Sequence, residues 1–247
     1  MSERAGLKGK TALVTGGALR IGREICRELA GAGVNVVVHC HASAEAASDL
    51  VGELRDVGVK SCVLRCDLRD SDGCARLIER ARELTGRLDI LVNSAAIFHK
   101  DSLFTLDATK MREEMSVNLE APILLIQAFA RQCECGKIVN LLDRRIAGDD
   151  VSCVPYLLSK KALANLTHLA AIELAPNFTV NGVAPGEILP PDKSRTSYVK
   201  DIAPPALMNC VCTPKDVARA VLFLLSADAV TGQILFVDAG AHLLRNV

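Results

Sequence analysis

TALVTGGALRIGREICRELAGAGVNVVVHC, residues 11–40, is the stretch of this chain that decides its fold. It contains two short apolar runs, TALVTG and NVVVHC, and between them an amphipathic helical segment with glycines at both ends. Continuously apolar runs joined by a helix are typical of parallel strands that are covered on both faces. The stretch therefore predicts a strand–helix–strand unit.

The same alternation continues to the end of the chain. Further strands are predicted for SCVLRC, LDILVNSAA, KIVNLL, TVNGVAPG and QILFVD, with helical segments between them at about 45–58, 70–86, 107–133, 155–175 and 213–226. We predict a single α/β domain over residues 1–247, built as a doubly wound parallel sheet of seven strands with helices on both faces. The stretch from about 187 to 212 has four prolines and no clear period, and we expect it to form a substrate loop.

Composition excludes several classes of function. The formal net charge is zero, so no general attraction to nucleic acid or anionic membrane is expected. The apolar runs are shorter than the ~20 residues that a bilayer span needs, and MSERAGLKGK has no signal-peptide core. We expect a soluble cytoplasmic protein that acts on a small molecule.

Ten cysteines raise the question of metal binding. No C-x-x-C pair exists, and the five histidines lack finger-like spacing. Cys26 and Cys74 lie within amphipathic helical patterns, where cysteine acts as a small buried hydrophobe. We predict reduced structural thiols and no metal site.

The turn TGGALRIG, residues 15–22, follows the first strand and opens the first helix. Gly16 and Gly22 allow a tight turn and close packing, and the helix N-terminus offers N–H groups to a diphosphate. Arg20 occupies a position where close backbone approach favours glycine. It is either a cation directed at phosphate or ligand, or a solvated arginine at the helix start.

Polar and small residues at the ends of later strands are further candidates for nucleotide contacts. HCHAS after the second strand lacks the acidic residue typical of NAD binders, which leaves room for the 2′-phosphate of NADPH, although NADH stays possible. Ser43 either donates to that phosphate or only caps the next helix. Asp67 either contacts adenine or begins a turn, and Asn118 either holds a water or is structural. The remaining predicted cofactor contacts are Ile21, His39, Leu68, Asn93, Ser94, Ala95, Pro185 and Gly186.

Tyr156, Lys160 and Asp143 are the candidate catalytic residues. Positions 156 and 160 share a helix face, so the ammonium can lie beside the phenol. A free tyrosine has a pKa near ~10, and use as an acid near neutrality takes roughly 3–4 kcal/mol from a cation and a second charged partner. Asp143, thirteen residues upstream of the tyrosine, is the candidate for that partner. The alternatives are a lysine on a solvated face and an aspartate in a surface turn.

Together these motifs resemble the short-chain dehydrogenase/reductase family over nearly the whole chain. The resemblance rests on TGGALRIG, NSAA, Asn118, Tyr156-x-x-x-Lys160, Pro185-Gly186 and VDAG. It implies a Rossmann-type fold, an NAD(P) cofactor and a homotetramer. Asp143 stands where most members have serine, and Arg20 replaces the middle glycine of the turn. Both features, with the histidine-rich stretch after the second strand and Phe98, resemble the pteridine reductase branch.

That branch implies a role for each matching residue. Asp143 and Tyr156 would handle the proton, and Lys160 would hold the nicotinamide ribose and lower the tyrosine pKa. Phe98 would stack on the pterin, and Arg20 would face both phosphate and substrate. The expected activity is NADPH-dependent reduction of a dihydropterin or dihydrofolate.

The chain departs from the branch at three places. Ala42 replaces an arginine that binds the 2′-phosphate, and Ala96 replaces a serine that contacts the pterin. Arg144 and Arg145 directly follow the aspartate, and they either bind an anionic substituent or hold Asp143 ionised. Two other functions therefore stay open: an ordinary ketone reductase or alcohol dehydrogenase, and a non-catalytic nucleotide-binding scaffold or redox sensor.

Overall fold

The computed structural model describes residues 6–188 and 206–244, so most of the predicted substrate loop lies outside the described residues. Seven parallel strands form one sheet in the order β3-β2-β1-β4-β5-β6-β7. They are β1 Thr11–Val14, β2 Asn35–Cys40, β3 Ser61–Arg65, β4 Ile90–Asn93, β5 Gly136–Leu141, β6 Phe178–Pro185 and β7 Ile234–Val237. The predicted doubly wound sheet of seven strands is confirmed.

Helices connect the strands. They are α1 Arg20–Gly31, α2 Ala44–Asp56, α3 Ser71–Thr85, α4 Ala108–Met115, α5 Ala121–Gln132, α6 Val154–Glu173 and α7 Pro214–Ser226. A π-helical turn, Ser116–Glu120, joins α4 to α5, so the long helical stretch predicted from about residue 107 contains one wider turn. Short 3-10 turns lie at Arg144–Ala147, Val151–Cys153 and Ala241–Leu243.

Two apolar cores cover the two faces of the sheet. Helices α1, α2 and α7 contribute to one core, and α3, α5 and α6 contribute to the other. Strand β2 shows why its sequence is continuously apolar, because Val36 and Val38 enter the first core while Val37 enters the second. All three valines are fully buried.

The order of the strands decides where a ligand can bind. Strand β1 pairs with β2 on one side and with β4 on the other, so the direction of winding reverses between β1 and β4. In open α/β sheets a crevice opens at this switch point, outside the carboxyl ends of the strands. The glycine turn after β1 and the NSAA stretch after β4 meet there.

Two of the sequence-based exclusions can be compared with the structure. Within residues 6–188 and 206–244, no helix combines the length and apolar character that a membrane span requires. All ten cysteines fall in these ranges and are free thiols, with Cys26 and Cys74 fully buried as predicted. The same ranges contain no cluster of metal-ligating side chains.

Candidate active site

A cleft of about 600 Å³ lies at the switch point of the sheet. The predicted residues that line it are Gly16, Arg20, Ile21, Gly22, His39, Asp67, Leu68, Ser94, Ala95 and Tyr156. The turn after β1, the ends of β2 and β3, and the stretch after β4 therefore face one space, as expected from the parallel topology. Its lining also includes residues that the sequence analysis did not select: Leu19, His41, Arg69, Ala96, Ile97, His99, Glu113 and Val117.

The turn that opens α1 has no room for side chains at two of its glycines. Gly16 adopts a φ of +62°, and a Cβ there would lie 2.9 Å from Ala95 Cα. A Cβ on Gly22 would lie 2.3 Å from the Gly16 carbonyl oxygen. Because both positions exclude a side chain, the backbone stays exposed to the cleft beside the N-terminus of α1, which is the arrangement that a diphosphate requires.

Arg20 begins α1 in the left-handed region, with a φ of +54°. This conformation is uncommon for a residue with a side chain and is enriched at ligand sites. The side chain is exposed and lines the cleft. Its position is consistent with the predicted contact to phosphate.

His39 lies in the wall of the cleft as a neutral ring. Its Nδ1 accepts a hydrogen bond of 3.2 Å from the Gly16 amide, and its Nε2 donates to the Cys66 carbonyl oxygen at 3.1 Å. Burial lowers the pKa of His39 to about 4. The ring therefore shapes the glycine turn and lines the cleft without adding a positive charge near neutral pH.

The other candidates near β2 and β3 differ in their surroundings. Asp67 accepts hydrogen bonds from Arg69, the shortest being 2.7 Å, and this contact lowers the pKa of Asp67 to about 2. His41 lies 3.5 Å from the same carboxylate. Ser43 takes the N-cap position of α2 without a hydrogen bond from its side chain to that helix. The cationic side chains of the cleft are thus Arg20 and Arg69, with His41 beside them.

The predicted catalytic side chains come together at the start of α6. The Tyr156 hydroxyl donates to Asp143 Oδ2 at 3.0 Å, and Phe98 meets the Tyr156 ring edge-on with centroids 4.8 Å apart. Lys160 is fully buried, donates to the Leu141 carbonyl oxygen at 2.7 Å, and lies 5.8 Å from the tyrosine ring centroid. Burial lowers the pKa of Lys160 to about 8.

The pKa of Tyr156 differs from the expectation. Burial, followed by the charge and the hydrogen bond of Asp143, raises it well above the usual value. The charge of Arg145 acts in the opposite direction and lowers this pKa. The Arg145 guanidinium contacts Asp143, whereas the Lys160 ammonium donates to a main-chain carbonyl.

The predicted asparagines and the Pro185-Gly186 bend make structural contacts around the ends of the strands. Asn93 donates to Asn140 at 2.9 Å, and both residues are buried. Asn118 bonds the amide and the carbonyl of Ile97, both at 2.9 Å, so it anchors the NSAA stretch. Pro185 ends β6, and the Gly186 amide donates to the Val237 carbonyl oxygen.

Comparison with known proteins places the chain among reductases. The family model for enoyl-(acyl carrier protein) reductases matches residues 17–242. The 7alpha-hydroxysteroid dehydrogenase of Escherichia coli (strain K12) is 32% identical over 249 residues, which cover 97% of this chain and 96% of that protein.

Two solved structures are similar over nearly their whole length. The FolM alternative dihydrofolate reductase 1 of Brucella canis, complexed with NADP, has a TM-score of 0.92 and 30% identity, covering 98% of this chain and 97% of that one. A short chain dehydrogenase of Burkholderia cenocepacia J2315, in complex with NADP, has a TM-score of 0.89 and 32% identity, covering 95% and 98%.

Proposed function

The chain belongs to the short-chain dehydrogenase/reductase family, and we propose that it reduces a pteridine, a dihydropterin or dihydrofolate, with NADPH. The observation that carries the proposal is the hydrogen bond of 3.0 Å between the Tyr156 hydroxyl and Asp143. A carboxylate at this place suits a heterocycle rich in N–H donors, whereas the serine of most members positions a carbonyl oxygen. The similarity to an alternative dihydrofolate reductase supports the same substrate class.

The chemistry divides between the cofactor and the side chains. Bound NADPH supplies a hydride to the carbon of the C=N bond. Tyr156 gives a proton to the nitrogen, and Asp143 orients the hydroxyl that gives it. Phe98 is 37% exposed and held edge-on by Tyr156, so its face can stack on a flat ring, which contributes roughly 0.5–1.5 kcal/mol beyond area burial. Lys160 would bind the nicotinamide ribose, as the family resemblance implies.

The cleft favours the phosphorylated cofactor. The Gly16–Gly22 turn accommodates the diphosphate, and the Arg20 guanidinium lines the cleft at the start of α1. We expect kcat/KM for NADPH to exceed that for NADH by at least about tenfold, which corresponds to 1.4 kcal/mol of differential binding. Steady-state kinetics with both cofactors measure this ratio, and equal values would contradict the preference.

A direct assay separates the substrate classes. Enzyme and NADPH are mixed with a dihydropterin, with dihydrofolate or with a panel of ketones and steroids, and the nicotinamide absorbance is followed. We expect turnover with the pteridines. The similarity to a hydroxysteroid dehydrogenase favours a second candidate, an alcohol dehydrogenase or ketone reductase, and turnover of ketones without pteridine turnover would establish that one instead. A nucleotide-binding scaffold would turn over neither.

Self-association and location complete the proposal. Large apolar side chains are exposed on α6 at Leu158, Leu169 and Ile172 and on α7 at Phe223. Exposed apolar surface of this kind marks protein–protein contact, and we propose the homotetramer that the family resemblance implies. Light scattering on the purified protein measures the mass, and a monomer would refute this part. A cytoplasmic location stays a prediction.

A further inference from the structure

Arg145 lies at the centre of a group of carboxylates beside the catalytic pair. Its Nη1 lies 3.2 Å from Asp143 Oδ2, its Nε 3.0 Å from Asp150 Oδ2 and its Nη2 3.1 Å from Glu187 Oε1. The side chain is only 21% exposed. Burial opposes its charge, yet these carboxylates raise the pKa of Arg145 above its usual value, so the guanidinium remains protonated.

Arg145 and Tyr156 share one oxygen of the catalytic carboxylate. Asp143 Oδ2 accepts from the Tyr156 hydroxyl and from Arg145 Nη1, while Oδ1 accepts from the Arg145 main-chain amide at 2.8 Å. One residue therefore holds both oxygens of Asp143 and directs one of them at the phenol. The guanidinium carbon also lies 5.8 Å from the centroid of the Phe98 ring, within range of a cation–π contact.

The contact between Arg145 and Asp143 offsets a repulsion between two negative charges in the site. When Tyr156 gives up its proton, a phenolate forms about 3 Å from a carboxylate, and two neighbouring negative charges repel each other strongly in a buried site. The Lys160 ammonium donates to the Leu141 carbonyl oxygen and lies 5.8 Å from the centroid of the Tyr156 ring. Arg145 is the cation that touches the carboxylate oxygen facing the phenol.

On the basis of the proposed pteridine reduction, we propose that Arg145 is a positioning residue. It holds the Asp143 carboxylate against Tyr156 and offsets the negative charge of the phenolate that forms there. In the proton step the Tyr156 O–H bond breaks and the substrate N–H bond forms. The hydride from NADPH bonds to the neighbouring carbon, and the C=N π electrons become the pair that takes the proton. Solvent then returns a proton to Tyr156. Asp143 orients the donor hydroxyl and does not itself give the proton.

A double-mutant cycle tests the role of Arg145. The variants are Arg145→Gln, Asp143→Asn and the double variant, with Arg145→Lys as the conservative change. Arg76→Gln is the control, because it loses the same charge at an exposed position on α3, where Arg76 pairs with Asp70 at 3.1 Å and does not line the cleft. Each variant is first titrated with NADPH by nicotinamide fluorescence, which shows that the Rossmann-type core still binds cofactor.

The expected result is that Arg145→Gln lowers kcat by about 10- to 100-fold, as a misplaced catalytic group does, with NADPH affinity unchanged. In the Asp143→Asn background the same change should cost less than about threefold, because two residues that act through one contact are not additive. Arg145→Lys should recover part of the loss, and Arg76→Gln should stay near the wild type. Losses that multiply independently, an unaffected Arg145→Gln, or an equal loss in Arg76→Gln would overturn the inference.

The double-mutant cycle can refute the role of Arg145 without refuting the proposed pteridine reduction. Turnover of a dihydropterin by the wild type decides the substrate class on its own. If the wild type reduces only ketones, the same cycle is run with a ketone, because the Tyr156–Asp143–Arg145 geometry is independent of the substrate.

Discussion

Replacement of Gly22 by alanine tests the cofactor turn most directly. The added Cβ would lie 2.3 Å from the Gly16 carbonyl oxygen, 2.9 Å from the Gly16 carbonyl carbon and 3.1 Å from Gly17 Cα. Ordinary contact begins at 3.4 Å, so the turn must retreat from α1 by about 1 Å. All three contacts are with main-chain atoms, which cannot move aside as a flexible side chain would. Overpacking of this kind costs about 1–3 kcal/mol.

The same displacement moves the amides that face the diphosphate. Loss of one charge-assisted hydrogen bond, at about 1.5–3 kcal/mol, weakens NADPH binding by about 10- to 150-fold. For a chain of this length, a loss near 2 kcal/mol lowers Tm by roughly 4–8 °C. Circular dichroism melts and fluorescence titration with NADPH measure the two effects.

Gly52→Ala is the matched control. Gly52 lies within α2, and nothing lies within 4 Å of a Cβ placed there. Alanine should stabilise this helix by about 0.5–1 kcal/mol and leave NADPH affinity unchanged. A Gly22→Ala variant that melts and binds NADPH like the wild type would refute the steric reasoning, and so would a Gly52→Ala variant that loses as much.

Three further changes follow from the buried polar groups. Tyr156→Phe should lower turnover by about 10²- to 10⁴-fold with NADPH affinity retained, and near-normal turnover would exclude Tyr156 as the acid. Burial lowers the pKa of His39 to about 4, so the neutral ring stabilises the fold fully above pH 6.5. About 3 kcal/mol of the free energy of unfolding is lost as the pH falls toward 4. Urea unfolding at several pH values should therefore show a flatter pH profile for His39→Gln. Burial raises the pKa of Glu114 above its value in the unfolded chain. Its ionisation therefore lowers the stability of the fold as the pH rises above that unfolded-state pKa. Glu114→Gln should keep the acceptor for the His99 amide and be more stable than the wild type at pH 8, and a loss of stability there would contradict this.

The fold was predictable from the chain because its signals are local. Continuous apolar runs such as VVV in β2 indicate strands covered on both faces, and glycine at positions 16 and 22 indicates a turn with no space for a side chain. Asp143 was expected near Tyr156, and Phe98 was expected beside them from the resemblance to the pteridine reductase branch; the three side chains lie together. The sheet and the turn depend on period and spacing, which the residues carry themselves.

The electrostatics of the same site were not predictable. Lys160 was expected to act on the phenol from its spacing, but four residues along a helix do not specify where a long side chain ends, and its ammonium is directed to Leu141. His39 was a candidate for phosphate contact until its two ring nitrogens were found bonded to Gly16 and Cys66. Glu187 was predicted only to begin a loop. Its contact with Arg145 joins residues 42 positions apart, which local sequence patterns do not reveal.

The amino-acid sequence by itself determined the doubly wound sheet and the glycine turn, and it indicated Asp143, Tyr156 and Lys160 as candidates for one site, because period and spacing act over a few residues. The tertiary structure alone decided the charge each of these groups experiences. That charge depends on burial and on distances of about 3 Å between side chains from separate elements. A shift of about one ångström, or the loss of one partner, therefore changes the pKa of each group.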